Sequence, residues 1–119
     1  QDATRAMDIS GADGVMIGRG CQGKPWILRD TIAYLRGEDI PDAPSGAALC
    51  SLIQRHYNDI LEFYGERRGV AHARMHLAWY VDGLRDANAF RRHINVLDDP
   101  IAVRAAIDDF FLSDHTLAA

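Results

Sequence analysis

The 119-residue chain has few of the residues that mark a cross-linked, metal-bound or membrane protein. It carries two cysteines, Cys21 and Cys50. Neither belongs to a Cys-x-x-Cys pair, so neither a zinc site nor a disulfide framework is expected. Their scarcity fits a reducing, cytoplasmic setting. No apolar run approaches the ~20 residues of a membrane helix, and no secretory signal is recognisable. Positive charge is not in excess either: 13 Lys and Arg stand against 17 Asp and Glu, a net charge of −4. That excludes a strongly basic nucleic-acid binder overall, while a local basic face on an acidic domain stays open. Internal repeats and low-complexity tracts are missing. So is an initiator Met. The opening residues, QDATRAMDIS, have the composition of a helix interior, and the expectation is a piece of something longer.

What is present is ordinary for a soluble globular chain, with 48% hydrophobic and 25% charged residues. Residues 2–10 predict a helix that Gly11 ends. GVMI, residues 14–17, is a short apolar run of strand length, apolar on both sides as in a buried parallel strand. Gly18-Arg19-Gly20 breaks it. Pro25 then suits a first helical turn, and PWILRDTIAYLRG presents Ile27, Leu28, Thr31, Ile32 and Leu35 on one face before Gly37. Residues 1–36 thus read as one βα unit with the tail of a preceding helix. A single parallel strand has no partners, so the unit is not expected to fold alone. Residues 37–46, GEDIPDAPSG, read as a linker. Everything from 47 to 119 reads as helical. The spacing of Leu49, Leu52, Ile53, His56, Tyr57, Ile60, Phe63 and Tyr64 predicts an amphipathic helix over 47–64. A second runs from Glu66 or Val70 to Val81. A third begins near Asp86, and a fourth is capped by Asp98 or Asp99 with Pro100 at its start. The expected fold is mainly α: an antiparallel bundle of about four helices following the βα unit.

Three constellations bear on chemistry. The Gly18-Arg19-Gly20 turn could hold a phosphate, because glycines let backbone amides approach an anion and Arg adds a planar cation. An ordinary strand-to-helix turn would look the same. His72 and His76 lie four apart on one helix, a spacing that can ligate a metal. But HARMH lacks the Glu of a metalloprotease motif and a third ligand, so a packed seam of His76, Trp79 and Tyr80 fits better and no metal is expected. His56, on an apolar face, reads as a satisfied core histidine. Arginines gather in the second half, at Arg67, Arg68, Arg74, Arg85, Arg91 and Arg92, while acids cluster elsewhere. They could form a one-sided phosphate-binding surface, or a solvated face with ordinary ion pairs. Neither cysteine has a base placed beside it, so both read as structural.

The stretches GADGVMIGRGCQGKPW and YGERRGVAHARMHLAWYVDGL together resemble the C-terminal part of bacterial tRNA-dihydrouridine synthases, most closely the B-type subgroup. The resemblance covers essentially the whole chain. It implies that residues 14–17 are the eighth strand of an FMN-binding TIM barrel truncated here. By the same resemblance Gly18 and Arg19 contact the FMN phosphate, and residues from about 47 onward form a helical tRNA-binding domain. The implied activity is reduction of particular tRNA uridines to 5,6-dihydrouridine, with NADPH recharging the flavin. Hydride passes from reduced flavin to the uracil, and a cysteine acid protonates the neighbouring carbon. That cysteine lies in the barrel, upstream of this chain, so no catalytic residue is assigned here and Cys21 is not carried over. The six arginines are the candidate RNA contacts. Met75 and Asp82 depart from the family pattern, which often has Lys at both places.

The expectations that follow are an oxidoreductase as the full-length parent and an inactive chain on its own. No FMN is expected bound to the chain alone. tRNA is the expected partner, with neither DNA nor membrane, and self-association through the exposed βα piece is open. Two other readings stand beside this one: a non-catalytic helical module that binds RNA or protein, and the end of another FMN-dependent barrel oxidoreductase.

Overall fold

A computed structural model describes residues 1–113. Residues 114–119, including the end of the expected helical domain, lie outside the described part. The chain divides into two compact units, one of residues 1–43 and one from residue 44 onward.

The first unit contains helix α1 (Asp2–Ser10), a single three-ten turn (Arg19–Cys21) and helix α2 (Ile27–Leu35). Helix α1 stops where expected. Gly11 adopts φ 71°, and its amide donates to the Met7 carbonyl at 2.8 Å. Helix α2 closes in a left-handed glycine turn at Gly37, across which the Glu38 amide reaches the Ala33 carbonyl at 2.9 Å. α2 packs on both α1 and the three-ten turn.

Two expectations fail in this unit. Among the described residues there is no β-strand, so residues 14–17 form no ladder. The physical reason is the one that made the unit look unstable alone: a strand needs a neighbour for its amides and carbonyls, and these residues have none. Met16 is 93% exposed as a result. The apolar face expected on α2 is present but uncovered, because Leu28, Ile32 and Leu35 remain exposed. Ala33 is the single buried residue of the unit. Pro25 also precedes α2 in a turn instead of opening its first turn.

The second unit holds four helices, α3 (Gly46–Tyr64), α4 (Glu66–Tyr80), α5 (Ala87–Asn95) and α6 (Pro100–Phe111). They close a ring of neighbours: α3 packs on α4, α4 on α5, α5 on α6, and α6 back on α3. Gly65 alone joins α3 to α4, at φ 83° and ψ 163°. That backbone region is essentially restricted to glycine. One turn later, a side chain at Gly69 would stand 2.8 Å from the Leu61 Cα, so the missing Cβ is what lets α4 cross α3 so closely. Asp99 caps α6 by accepting from the Ile101 amide at 3.1 Å, with Pro100 in the first turn. The core that the helices enclose includes Ile53, Tyr57, Leu77, Val81, Ile94, Ile107 and Phe111. Phe90 and Phe110 pack with ring centres 4.8 Å apart.

Side chains pin the helices at their seams. The Gln54 amide bridges the Arg104 carbonyl and the Asp108 carboxylate, both at 2.9 Å. The Cys50 thiol donates to the same carboxylate at 3.2 Å. Burial, followed by the Asp108 hydrogen bond, pushes the Cys50 pKa up to about 11. No helix among the described residues is long and apolar enough to cross a membrane.

Candidate functional site

The loop after residue 17 is an open glycine turn with an exposed arginine. Gly18 and Arg19 are both exposed. Nothing lies within 4 Å of where a Gly18 side chain would stand. The loop's own hydrogen bonds begin at Cys21, whose amide and thiol both donate to the Gly18 carbonyl, at 3.3 and 3.0 Å. The Gln22 amide then reaches the Arg19 carbonyl at 3.1 Å. These contacts hold the turn while leaving the Gly18, Arg19 and Gly20 amides unspent. Open glycines, unused amides and a free guanidinium are what a phosphate group requires. The Cys21 thiol is engaged by the backbone and is not poised as a nucleophile.

Two of the six arginines are tied to partners within the helical unit. Arg74 donates to the Leu97 carbonyl at 3.2 Å and to Asp98 at 3.1 Å, tying α4 to the turn before α6. Arg91 donates to the Ala78 carbonyl at 3.2 Å, to Asp82 at 3.1 Å and to Asn88 at 3.0 Å, locking the α4–α5 turn. Both are partly buried, with partner carboxylates that are 95% and 81% exposed. Asp82, a departure from the family pattern, is thereby explained as the partner of Arg91. Arg67 shares a cavity of about 570 Å³ with Glu66, Arg74 and Asp98, in mixed-charge company. Arg68, Arg85 and Arg92 are exposed.

The histidines form a continuous chain of rings. Tyr64 faces His72 with ring centres 4.5 Å apart, tilted by 36°. His72 lies 5.3 Å from His76, and His76 lies 5.1 Å from Trp79 and 4.9 Å from His56. The Tyr80 hydroxyl and His56 Nδ1 share a hydrogen bond of 2.8 Å, so His56 is the satisfied seam residue that its position suggested. Burial pushes the Tyr80 pKa up to about 12, so its hydroxyl stays protonated. Burial lowers the His56 pKa, opposed by Asp59, and lowers that of His76, with His56 and His72 adding repulsion. Among the described residues no group of three or more His, Cys, Asp or Glu has the geometry to hold a metal.

A family description, dihydrouridine synthase (Dus), matches residues 1–114. The chain belongs to the dihydrouridine synthase family. It is 42% identical over 93% of its length to a probable tRNA-dihydrouridine synthase of Rickettsia conorii, and 44% identical over 93% to one of Rickettsia bellii. It is also 39% identical, over 93% of its length, to tRNA-dihydrouridine synthase B of Pseudomonas aeruginosa. The chain spans about a third of each of these relatives, 34% of both Rickettsia proteins and 33% of the Pseudomonas one.

Two features of this dihydrouridine synthase chain escaped sequence reasoning. The clamps made by Arg74 and Arg91 reach partners 24 and 9 residues away, separations that no local pattern marks. The Tyr64–His72 contact depends on the sharp Gly65 junction. Its one available signal was the helical spacing of Arg68, His72, His76 and Trp79, which places them on a common face.

Proposed function

We propose that this chain is the C-terminal third of a flavin-dependent tRNA-dihydrouridine synthase, supplying the FMN-phosphate loop and a tRNA-binding helical domain. The observation that carries the reading is the contrast between the two units. Residues 1–43 bury one side chain, leave Val15, Met16, Leu28 and Ile32 exposed, and still present an ordered anion loop. A unit with that surface is built to be covered by further strands and helices of a β/α barrel, whose final loops commonly hold phosphate. Residues 14–17 are the eighth strand of that barrel, and residues 37–46 link it to the bundle.

The residues present fit a flavin phosphate: Gly18 would leave room for it, backbone amides of the turn would donate to it, and Arg19 would neutralise it. When bound, the flavin accepts hydride from NADPH and supplies it to the uracil ring. This chain's share is binding and orientation, and the catalytic cysteine lies in the barrel. The parent is a cytoplasmic oxidoreductase acting on tRNA.

The test is direct. Supplied with FMN, NADPH and unmodified tRNA, the chain alone forms no dihydrouridine. In gel shift it binds tRNA in preference to duplex DNA, and the binding weakens as salt rises. Uridine reduction by the chain alone would overturn the division of labour. Failure to bind tRNA at low salt would favour a purely structural or protein-binding bundle.

A further inference from the structure

Beyond its cations, the helical unit carries a surface of a different kind at the α3–α4 junction. Phe63 is 81% exposed and Tyr64 is 42% exposed, their rings meeting edge to face at 4.8 Å. Tyr64 continues into His72, His76 and Trp79 along one side of α4. The last three are half-buried, so one side of the row reaches solvent. Arg68 sits one turn before His72 on the same face, exposed and without a hydrogen bond or ion pair among the described residues. The neighbouring acids lie elsewhere: Glu62 and Glu66 line a cavity with Asp99 and Arg104, and Glu66 also faces Arg67 and Arg74. Asp59 acts electrostatically on His56.

We propose that the Phe63–Tyr64–His72 row is a stacking platform for unpaired bases of the RNA substrate, with Arg68 meeting the adjoining phosphate. The proposal rests on the tRNA-binding reading above and gives it a specific partner: a single-stranded or splayed segment, not a duplex. Three arguments favour that occupant. Exposed, flat rings in series cost an isolated domain solubility and need a partner with flat faces. Unpaired bases offer such faces, and Tyr, Phe and His are the side chains that stack on them. Arg68 beside the rings, with no hydrogen bond or ion pair among the described residues, can meet a phosphate of a nucleotide stacked there. A protein helix would instead call for a broad aliphatic groove, and this face is made of rings and one arginine.

The experiment compares binding of the full chain to three labelled probes by fluorescence anisotropy: unmodified tRNA, an oligouridine of about 12 nucleotides, and an RNA duplex of the same length. The chain is expected to hold tRNA and oligouridine more tightly than the duplex. Phe63→Ala and Tyr64→Ala each weaken oligouridine binding by about fivefold or more, whereas Tyr64→Phe binds like the parent because it keeps the ring. Phe63 is so exposed that its truncation leaves the fold intact. If tRNA binds but neither alanine variant changes either affinity, the platform is wrong while the tRNA-binding reading survives. Equal affinity for duplex and oligouridine overturns the platform too. If no RNA binds, both readings fall.

Discussion

At the scale of single residues, the positions that matter most are those where backbone or burial leaves no choice. Gly69 touches the Leu61 backbone through the space its absent side chain vacates. Gly69→Ala forces α3 and α4 apart and is expected to cost about 1–3 kcal/mol in urea unfolding. The wild-type midpoint in that variant would show that the helices can slide without penalty. The YG-x-x-x-G pattern was visible in the sequence, but its reason, a helix crossing with no room for a methyl group, was not. The half-buried histidines set a pH dependence. His56 and His76 have pKa values lowered by burial, and His76 is lowered further by its imidazole neighbours. A base whose folded pKa is depressed contributes stability above its free value of 6.5, and that stability is lost as pH falls through the folded pKa. Melting temperature is therefore expected to fall as pH drops below about 6.5, with a His76→Asn variant showing a shallower fall. Cys50 behaves in the opposite sense. Its raised pKa contributes stability below 9.0 that disappears as pH climbs toward about 11, and the native thiol should resist labelling at pH 8 until urea unfolds the bundle. Rapid labelling of Cys50 in the folded chain would contradict its burial.

Among the elements, the arginines divide into two trades that composition could not separate. Arg74 and Arg91 each hold a helix end to a backbone carbonyl and a carboxylate. Arg68, Arg85 and Arg92 lie free on the surface. Replacing Arg91 with Ala should lower stability by about 1–2 kcal/mol, chiefly through the lost carbonyl bond, because the Asp82 carboxylate is largely in water. A double-mutant cycle between Arg91 and Asp82 should return at most about 1 kcal/mol of coupling. Arg68→Ala should leave the melting temperature alone and reduce the salt dependence of tRNA binding by about one phosphate's worth of slope. A stability loss at Arg68, or none at Arg91, would reverse the assignment. Helix bounds were largely legible, because Gly11, Gly65, Asp99 and Pro100 end or begin elements by local backbone chemistry. In α6, Val103, Ile107, Phe110 and Phe111 recur at helical spacing, and all four are buried. The strand expected at 14–17 does not form, since a strand is a relation between two segments and no other described residues pair with it.

On the scale of the whole chain, the two units should differ in how firmly they are held. The helical unit encloses a core, and the first unit buries Ala33 alone. Amide hydrogen exchange should therefore be fast throughout residues 1–43 and slow at the centres of α3, α4 and α6. Equal protection in both units would mean that the exposed apolar face of residues 1–43 is covered, for instance by a second copy of the chain. The sequence by itself determined the helical composition, the glycine and proline stops and the family. Each of these is written in local spacing or in short motifs. Only the tertiary structure decided which arginines are clamps and which are free, and that three histidines, two tyrosines and a tryptophan join into one row of rings. Those outcomes depend on where residues far apart in the chain meet, and that is set by the single-glycine junction at Gly65 and the close crossing at Gly69.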